Sequence, residues 1–501
     1  MEPKISAKPV KSLIIVEPSS QSDRSVISEL NSKQESKFEN KITSQQTKSI
    51  TDNLNDRSAQ VPDSFMTDHH TPFIRDSVKR LPFAQRLNHT IREGSSLSTV
   101  ITLVMTACVG PGILSLAYAV AASGWLFSFV MMLFCALLAN FSLKLITKVS
   151  KVTGKHTYSA IAEHLFKGKK FAMFVRMCFI LNSFGEATAD LILINELITK
   201  CLRNLEITGL PSLLTDPETH FWKVVFGVCI GFPLCLKKNL KELRVVLFSG
   251  FFLVLYVIFT IFRDCLASDF GQKFESAALF RPMGIFITLP ITFFSFGCHP
   301  VVLDGYKELE VRSEKKFRRV LSRTTIVLLF FYAIIGCSGY IHFSTEEYKL
   351  AQGNLLLAYD PDDTTINFAI MFFAFTLTFS LPLVMRPVKS MLSEIVRQKG
   401  EKETDKQHVV LTAITVGSVI ICSALVSNMT LIVNFLGASV NAMIVFILPC
   451  TYYVILVRQR DRKRSAIFYL AILVGISLFL FSMFSVGYLV YRVVTGEAVV
   501  G

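Results

Sequence analysis

Asn182, Glu186 and Asp190 recur every four residues, so their side chains lie on one face of a helix. The surrounding stretch, about 171–199, is otherwise apolar except for Arg176 near its start and Glu196 near its end. Carboxylates in apolar surroundings are costly as anions, and desolvation and mutual repulsion favour the protonated form of at least one of the pair. Glu186 and Asp190 therefore suit a proton carrier or a partner for an ammonium group. A water-filled vestibule, or neutralisation by Arg176 and backbone donors, is the competing reading. His299, in Phe296-Gly297-Cys298-His299-Pro300, is an imidazole that titrates near neutrality. It either relays protons or makes one helix-stabilising hydrogen bond. Thr376, Thr378 and Ser380 place hydroxyls at alternate positions, where they ligate a cation or bond their own backbone. No nucleophile–base pair, metal-ligand spacing or nucleotide loop occurs, so the chain reads as a non-enzyme with no resident cofactor or metal.

These groups must be positioned by membrane helices. The chain has 501 residues, 51% of them hydrophobic, with 43 Phe and a mean hydropathy of +0.48, which fits a polytopic membrane protein. Hydropathy places eleven spans at about 97–121, 126–147, 171–199, 221–237, 244–263, 284–305, 320–342, 366–386, 408–427, 430–456 and 466–491. Residues 1–94 are polar, with too little apolar surface to offset ordering entropy, and read as a disordered cytoplasmic tail. Residues 95–492 form the membrane domain and 493–501 a short extracellular or lumenal end.

The net charge of +14 suggests nucleic acid, but its distribution does not. Inter-span segments on one side of the membrane carry 29 Lys and Arg, against 8 on the other. This is the positive-inside asymmetry. It places the N-terminus in the cytoplasm, makes the lipid bilayer the partner of the positive charge, and leaves nucleic acid without a role. Of 11 cysteines, Cys201 and Cys265 lie at the outer ends of spans 3 and 5, where a disulfide is one expectation and two unpaired thiols the other.

Gly110-Pro111-Gly112 interrupts span 1, although Ser95 to Leu143 contains no charged residue. Proline removes an amide and the glycines accept non-helical angles, so the helix should unwind there. Unwound backbone at that depth is tolerated where it is buried in protein or lines a cavity. Five spans later, Phe296-Gly297-Cys298-His299-Pro300 interrupts span 6. Matched breaks of this kind mark an inverted repeat with a binding site between the halves. Five is odd, so the second half inserts upside down. Half-helix ends offer amides to an anion and carbonyls to a cation, a combination that suits the zwitterion of an α-amino acid.

GPGILSLAYA at 110–119, TYSAIAEHLF at 157–166, ITFFSFGCHPVVLDGYKEL at 291–309, GYIHF at 339–343, SLPLVMRPVKSML at 380–392 and NFLGASVNAMIVFILPCTYYV at 434–454 resemble, in order and spacing, the amino acid/auxin permease family of transmembrane amino-acid transporters. Ala117 stands where that family's span 1 pattern has proline. The resemblance implies an all-α, leucine-transporter-like fold of five plus five inverted spans and an eleventh. It also implies secondary active transport of an amino acid, driven by protons or, in some branches, by sodium. Sodium-coupled branches often have Asn four residues before the first motif glycine, a position held here by Thr106.

In that frame the substrate carboxylate is expected at Gly110, Pro111 and Gly112, lined by Val109 and Ile113. The amino group faces Ser295, Phe296 and Gly297, with Phe294 or Phe296 limiting side-chain size. Coupling falls to Glu186, Asp190 and His299 for protons, or to Thr106, Thr378 and Ser380 for sodium. The runner-up function is an amino-acid sensor signalling through the tail. The membrane is expected to be a plasma membrane or that of an acidic endolysosomal or vacuolar organelle.

Overall fold

The computed structural model describes residues 101–458 except 102–103, 107, 206–210, 238–239, 309–313, 397–403 and 427, together with scattered positions from 469 to 491. The expected tail at 1–94, most of span 11 and the end at 493–501 lie outside the described residues. Among the described residues every regular element is helical.

The first span breaks where the glycines and proline predict. Helix ends at Cys108, and α1, Gly112–Ser123, starts afresh behind Pro111 at its N-cap (φ −61°, ψ −25°). Proline costs least at a helix start, where its missing amide would have no intrahelical partner. The Ser123-Gly124-Trp125 turn into α2, Trp125–Thr153, needs a φ of +84° at Gly124. A Cβ there would also lie 2.6 Å from the backbone of Leu279, so glycine is required twice over.

The chain continues through the short α3, Tyr158–Phe166, to α4, Lys169–Asn204. At 36 residues α4 is about 54 Å long, more than a bilayer's hydrocarbon core. Next come α5, Phe221–Cys235, and α6, Leu240–Ala267. Span 6 is divided into α7, Ile285–Ser295, and α8, His299–Glu308, with Pro300 in the first turn of the second piece, further in than Pro111 at the first break, which is the N-cap. The span 7 helix, α9, runs Glu314–Ala333 and through a π turn at Ile334–Ser338 to Gly339–His342. Then follow α10, Thr364–Val396, and α11, Asp405–Leu425, which opens on a Thr404/Gln407 capping box. Last is α12, which starts at Met429–Leu436, passes π turns at Gly437–Asn441 and Met443–Ile447 and ends as Leu448–Arg458.

Burial sorts these helices into centre and periphery. The apolar windows of α4, span 6, α10 and α12 are 67–78% buried, whereas those of α2, α6, α9 and α11 are 33–44% buried. The exposed face of α2 carries Phe129, Val130, Leu133, Phe134, Leu137 and Phe141, the apolar surface that a lipid-facing helix presents. Within the centre α4 packs along α10, and α1 along α7.

The second pairing gives the inverted repeat its geometry. Thr288 Oγ1 at the start of α7 donates to Ala119 O near the end of α1, at 2.8 Å, and Arg281 N donates to Ser123 O at 2.8 Å. At the opposite ends of the same helices, Gly112 abuts Ser295 and Phe294. The half-helices thus run antiparallel, and the two breaks meet at one level.

Candidate functional site

The breaks expose complementary backbone groups. The helix ending at Cys108 and α7 turn carbonyl ends toward the gap, while α1 and α8 turn amide ends toward it. Across the breaks Ile113 N reaches Gly110 O at 3.3 Å, and Gly297 N reaches Phe294 O at 3.0 Å. The Cys108 and Ser295 carbonyls are met instead by one side chain. The Tyr332 hydroxyl of α9 lies 2.6 Å from Cys108 O and 2.7 Å from Ser295 O, so a single proton serves a freed carbonyl of each break. Its ring is fully buried and stands edge-on to Phe296 at 4.9 Å. Phe296 is thereby a packing partner of Tyr332, whereas Phe294 borders the first break, where a Cβ on Gly112 would lie 2.9 Å from its Cδ1.

The face of α4 predicted from the four-residue spacing is turned to this gap. A Cβ on Gly110 would lie 3.7 Å from Glu186 Oε1, which puts that carboxyl beside the span 1 break. One turn on, Asp190 is 0% exposed, and neither carboxyl oxygen has a hydrogen-bond partner. Asn182 Oδ1 and Ser183 Oγ on the same stretch are likewise buried and unpartnered. Arg176 does not neutralise these acids. Its Nε bonds Glu394 Oε2 of α10 at 2.9 Å, an oxygen that also accepts from Ser159 Oγ of α3 at 3.1 Å.

His299 is wholly buried at the start of α8. Its Nε2 shares a 2.8 Å hydrogen bond with Ser142 Oγ of α2, and its Nδ1 has no partner. The bond seen runs between helices and leaves one ring nitrogen over. The hydroxyls of α10 are committed to backbone: Thr376 to Phe372 O, Thr378 to Ala374 O at 2.8 Å and Ser380 to Leu377 O at 2.8 Å. Ser295 Oγ likewise bonds Ile291 O. Val109, Ile113 and Thr106 are buried near the first break.

A narrow cleft adjoins the breaks, lined by Ser183, Glu186, Gly297, Cys298, Pro300, Val301, Leu383, Val384 and Pro387. These positions lie toward the end of the bundle that carries Lys148, Arg176 and Lys389, which we call the basic end. The other end is bridged by polar contacts. Arg281 makes a bidentate pair with Glu347 at 2.7 and 3.1 Å and donates to Ala121 O at 2.8 Å, while Tyr340 OH donates to Glu347 Oε1. Lys200 at the far end of α4 donates to Leu357 O and Tyr359 O, and Asn354 Nδ2 donates to Glu196 Oε2. The connection between α9 and α10 is thereby fastened to α4 and to the end of α1.

Of the two readings open for Cys201 and Cys265, the structure has the free thiols and not the disulfide. Cys201 Sγ points at Asn367 O on α10, whereas Cys265 bonds Ser338 on α9, so they face different helices. Sequence reasoning also missed Tyr332 and Asn441. Asn441 sits in the first π turn of α12, donates to Phe293 O at 2.8 Å and packs against Gly297, where a Cβ would lie 2.5 Å from its Nδ2. Asn441, one of two Asn in the apolar run at 434–454, was the available signal; for Tyr332 there was none beyond a hydroxyl in an apolar span.

Known proteins agree with this architecture. Residues 92–495 match the family described as transmembrane amino acid transporter protein. Vacuolar amino acid transporter 2 of Saccharomyces cerevisiae is 24% identical over 417 residues, covering 79% of this chain and 85% of the relative. Solute carrier family 38 member 10 of Rattus norvegicus is 23% identical over 369 residues, 71% of this chain but 32% of that longer protein. Among solved structures, a Na+-coupled sialic acid symporter superposes with a TM-score of 0.50 at 13% identity, covering 79% of this chain and 90% of that one. A manganese transporter of Eremococcus coleocola gives 0.54 at 12% identity, covering 78% and 86%. These likenesses show the leucine-transporter-like fold. With the family match spanning almost the whole membrane domain, the chain belongs to the transmembrane amino acid transporter family.

Proposed function

We propose that this protein is a secondary active amino-acid symporter that works by alternating access and is driven by protons. The observation that carries the reading is the pair on α4: Glu186 beside the span 1 break, and Asp190 one turn away, buried without a donor or cation. A charge held there without a partner is costly, and a proton removes the cost. Binding and release of that proton next to the substrate gap supply a coupling step. The substrate carboxylate is assigned to the amide end of α1 and its ammonium group to the carbonyls around Ser295 and to Glu186. Sodium coupling through Thr106, Thr378 and Ser380 is the weaker alternative, because Thr106 stands where sodium-coupled branches often have Asn. The basic end is assigned to the cytoplasm on its Lys and Arg excess. Similarity to a yeast vacuolar transporter supports an acidic organelle membrane.

The test is uptake of a labelled amino-acid panel into proteoliposomes under an imposed pH gradient or sodium gradient, with Asp190→Asn and Glu186→Gln beside the parent. Accumulation driven by the pH gradient and lost in either variant is the expected result. Sodium-driven uptake indifferent to both substitutions overturns it, and binding without accumulation replaces transport with sensing.

A further inference from the structure

Cys108 and Cys298 stand one at each of the two breaks. Cys108 is the last helical residue before Gly110-Pro111-Gly112, and Cys298 immediately precedes α8. Both are free and buried, at 5% and 4% exposure, and their side chains lie near enough to interact. The backbone around them is gathered by Tyr332, whose hydroxyl holds the Cys108 carbonyl beside that of Ser295. The two sulfurs thus join the half of span 1 on the basic side of its break to the start of α8. Cys298 also lines the cleft that approaches the breaks.

We propose that Cys108 and Cys298 form a reversible redox lock, in which a hydroperoxide reaching the cleft converts the two thiols to a disulfide that ties the breaks together and arrests the transport cycle. The sulfur of Cys298 attacks the peroxide O–O bond, giving a sulfenic acid and releasing water or, from an organic hydroperoxide, an alcohol. The sulfur of Cys108 then displaces the sulfenic oxygen as a second water, forming the S–S bond. Each sulfur loses one electron, the peroxide oxygens take up both, and the two thiol protons leave in the products. A disulfide needs its Cβ atoms about 3.5–4.5 Å apart, a separation that interacting thiols can reach with a small adjustment. The glycines at 110, 112 and 297 flank the pair and let the backbone adjust.

Arrest of the cycle rests on the alternating-access reading, but formation of the bond does not. The experiment therefore has two readouts on the full-length protein in proteoliposomes treated with hydrogen peroxide. Peptide mass spectrometry without reduction should find residues 108 and 298 in one cross-linked species that dithiothreitol abolishes. Substrate uptake, taken as the ratio of treated to untreated for each protein, should fall at least about tenfold in the parent, because a covalent tie removes the alternative conformation from the ensemble. Dithiothreitol should restore it. Cys108→Ser and Cys298→Ser should each keep a ratio near one. Absence of the cross-linked peptide overturns the lock whatever the transport result, and a cross-link that leaves uptake unchanged overturns the arrest. Inhibition that persists in Cys298→Ser assigns the effect to other thiols, such as the exposed Cys229, and also overturns it.

Discussion

Replacing Tyr332 with Phe tests whether the two breaks are held as one unit. The substitution keeps the ring, its burial and its edge-on contact with Phe296, and removes one oxygen. That oxygen is 2.6 Å from Cys108 O and 2.7 Å from Ser295 O, and no backbone amide reaches either carbonyl across the breaks. Leaving a buried carbonyl unmet costs about 1–3 kcal/mol, and since one proton is shared between two acceptors a total of about 2 kcal/mol is appropriate. In an equilibrium between this arrangement and one in which the breaks separate, 2 kcal/mol is a population shift of roughly thirtyfold. Two measurements read it. The thermal unfolding midpoint of the detergent-solubilised protein should fall, and the rate at which N-ethylmaleimide labels Cys298 in the unheated protein should rise, since separation of the breaks uncovers it. A Tyr332→Phe protein with the parent's midpoint and labelling rate refutes the tie and the estimate built on it.

Two further substitutions probe the surrounding geometry. Gly112→Ala puts a Cβ 2.7 Å from Ser295 Oγ and 2.9 Å from Phe294 Cδ1. Overpacking of this kind costs about 1–3 kcal/mol, so the midpoint should drop and the KM for substrate should rise. Gly417→Ala on α11, with nothing within 4 Å, is the control, expected to be neutral or to stabilise by up to about 1 kcal/mol. Arg281→Gln removes a bidentate pair whose side chains are 34% and 18% exposed, a loss of about 1 kcal/mol after solvent screening. Protease nicking at Glu347–Gln352 in the folded protein should then quicken roughly fivefold by easier local opening. An unchanged rate refutes the latch.

The sequence by itself determined the elements and the level at which they fail. Uninterrupted apolar runs of bilayer length admit only helices, because lipid satisfies no backbone group. Gly110-Pro111-Gly112 and Gly297-Cys298-His299-Pro300 break those helices through local chemistry that needs no neighbour, and each proline stands at the start of a restarted helix, Pro111 as N-cap and Pro300 in the first turn. The four-residue spacing likewise put Glu186 and Asp190 on one face before any packing was known. What that face meets is a property of the assembly. Only the tertiary structure set Glu186 beside Gly110, carried Arg176 away to Glu394 and pointed Cys201 and Cys265 at different helices. It alone brought Tyr332 between carbonyls 224 and 37 positions distant in the chain. Helical periodicity reaches only a few turns, whereas these contacts depend on which helices lie side by side and at what depth, and that is decided by packing the whole bundle.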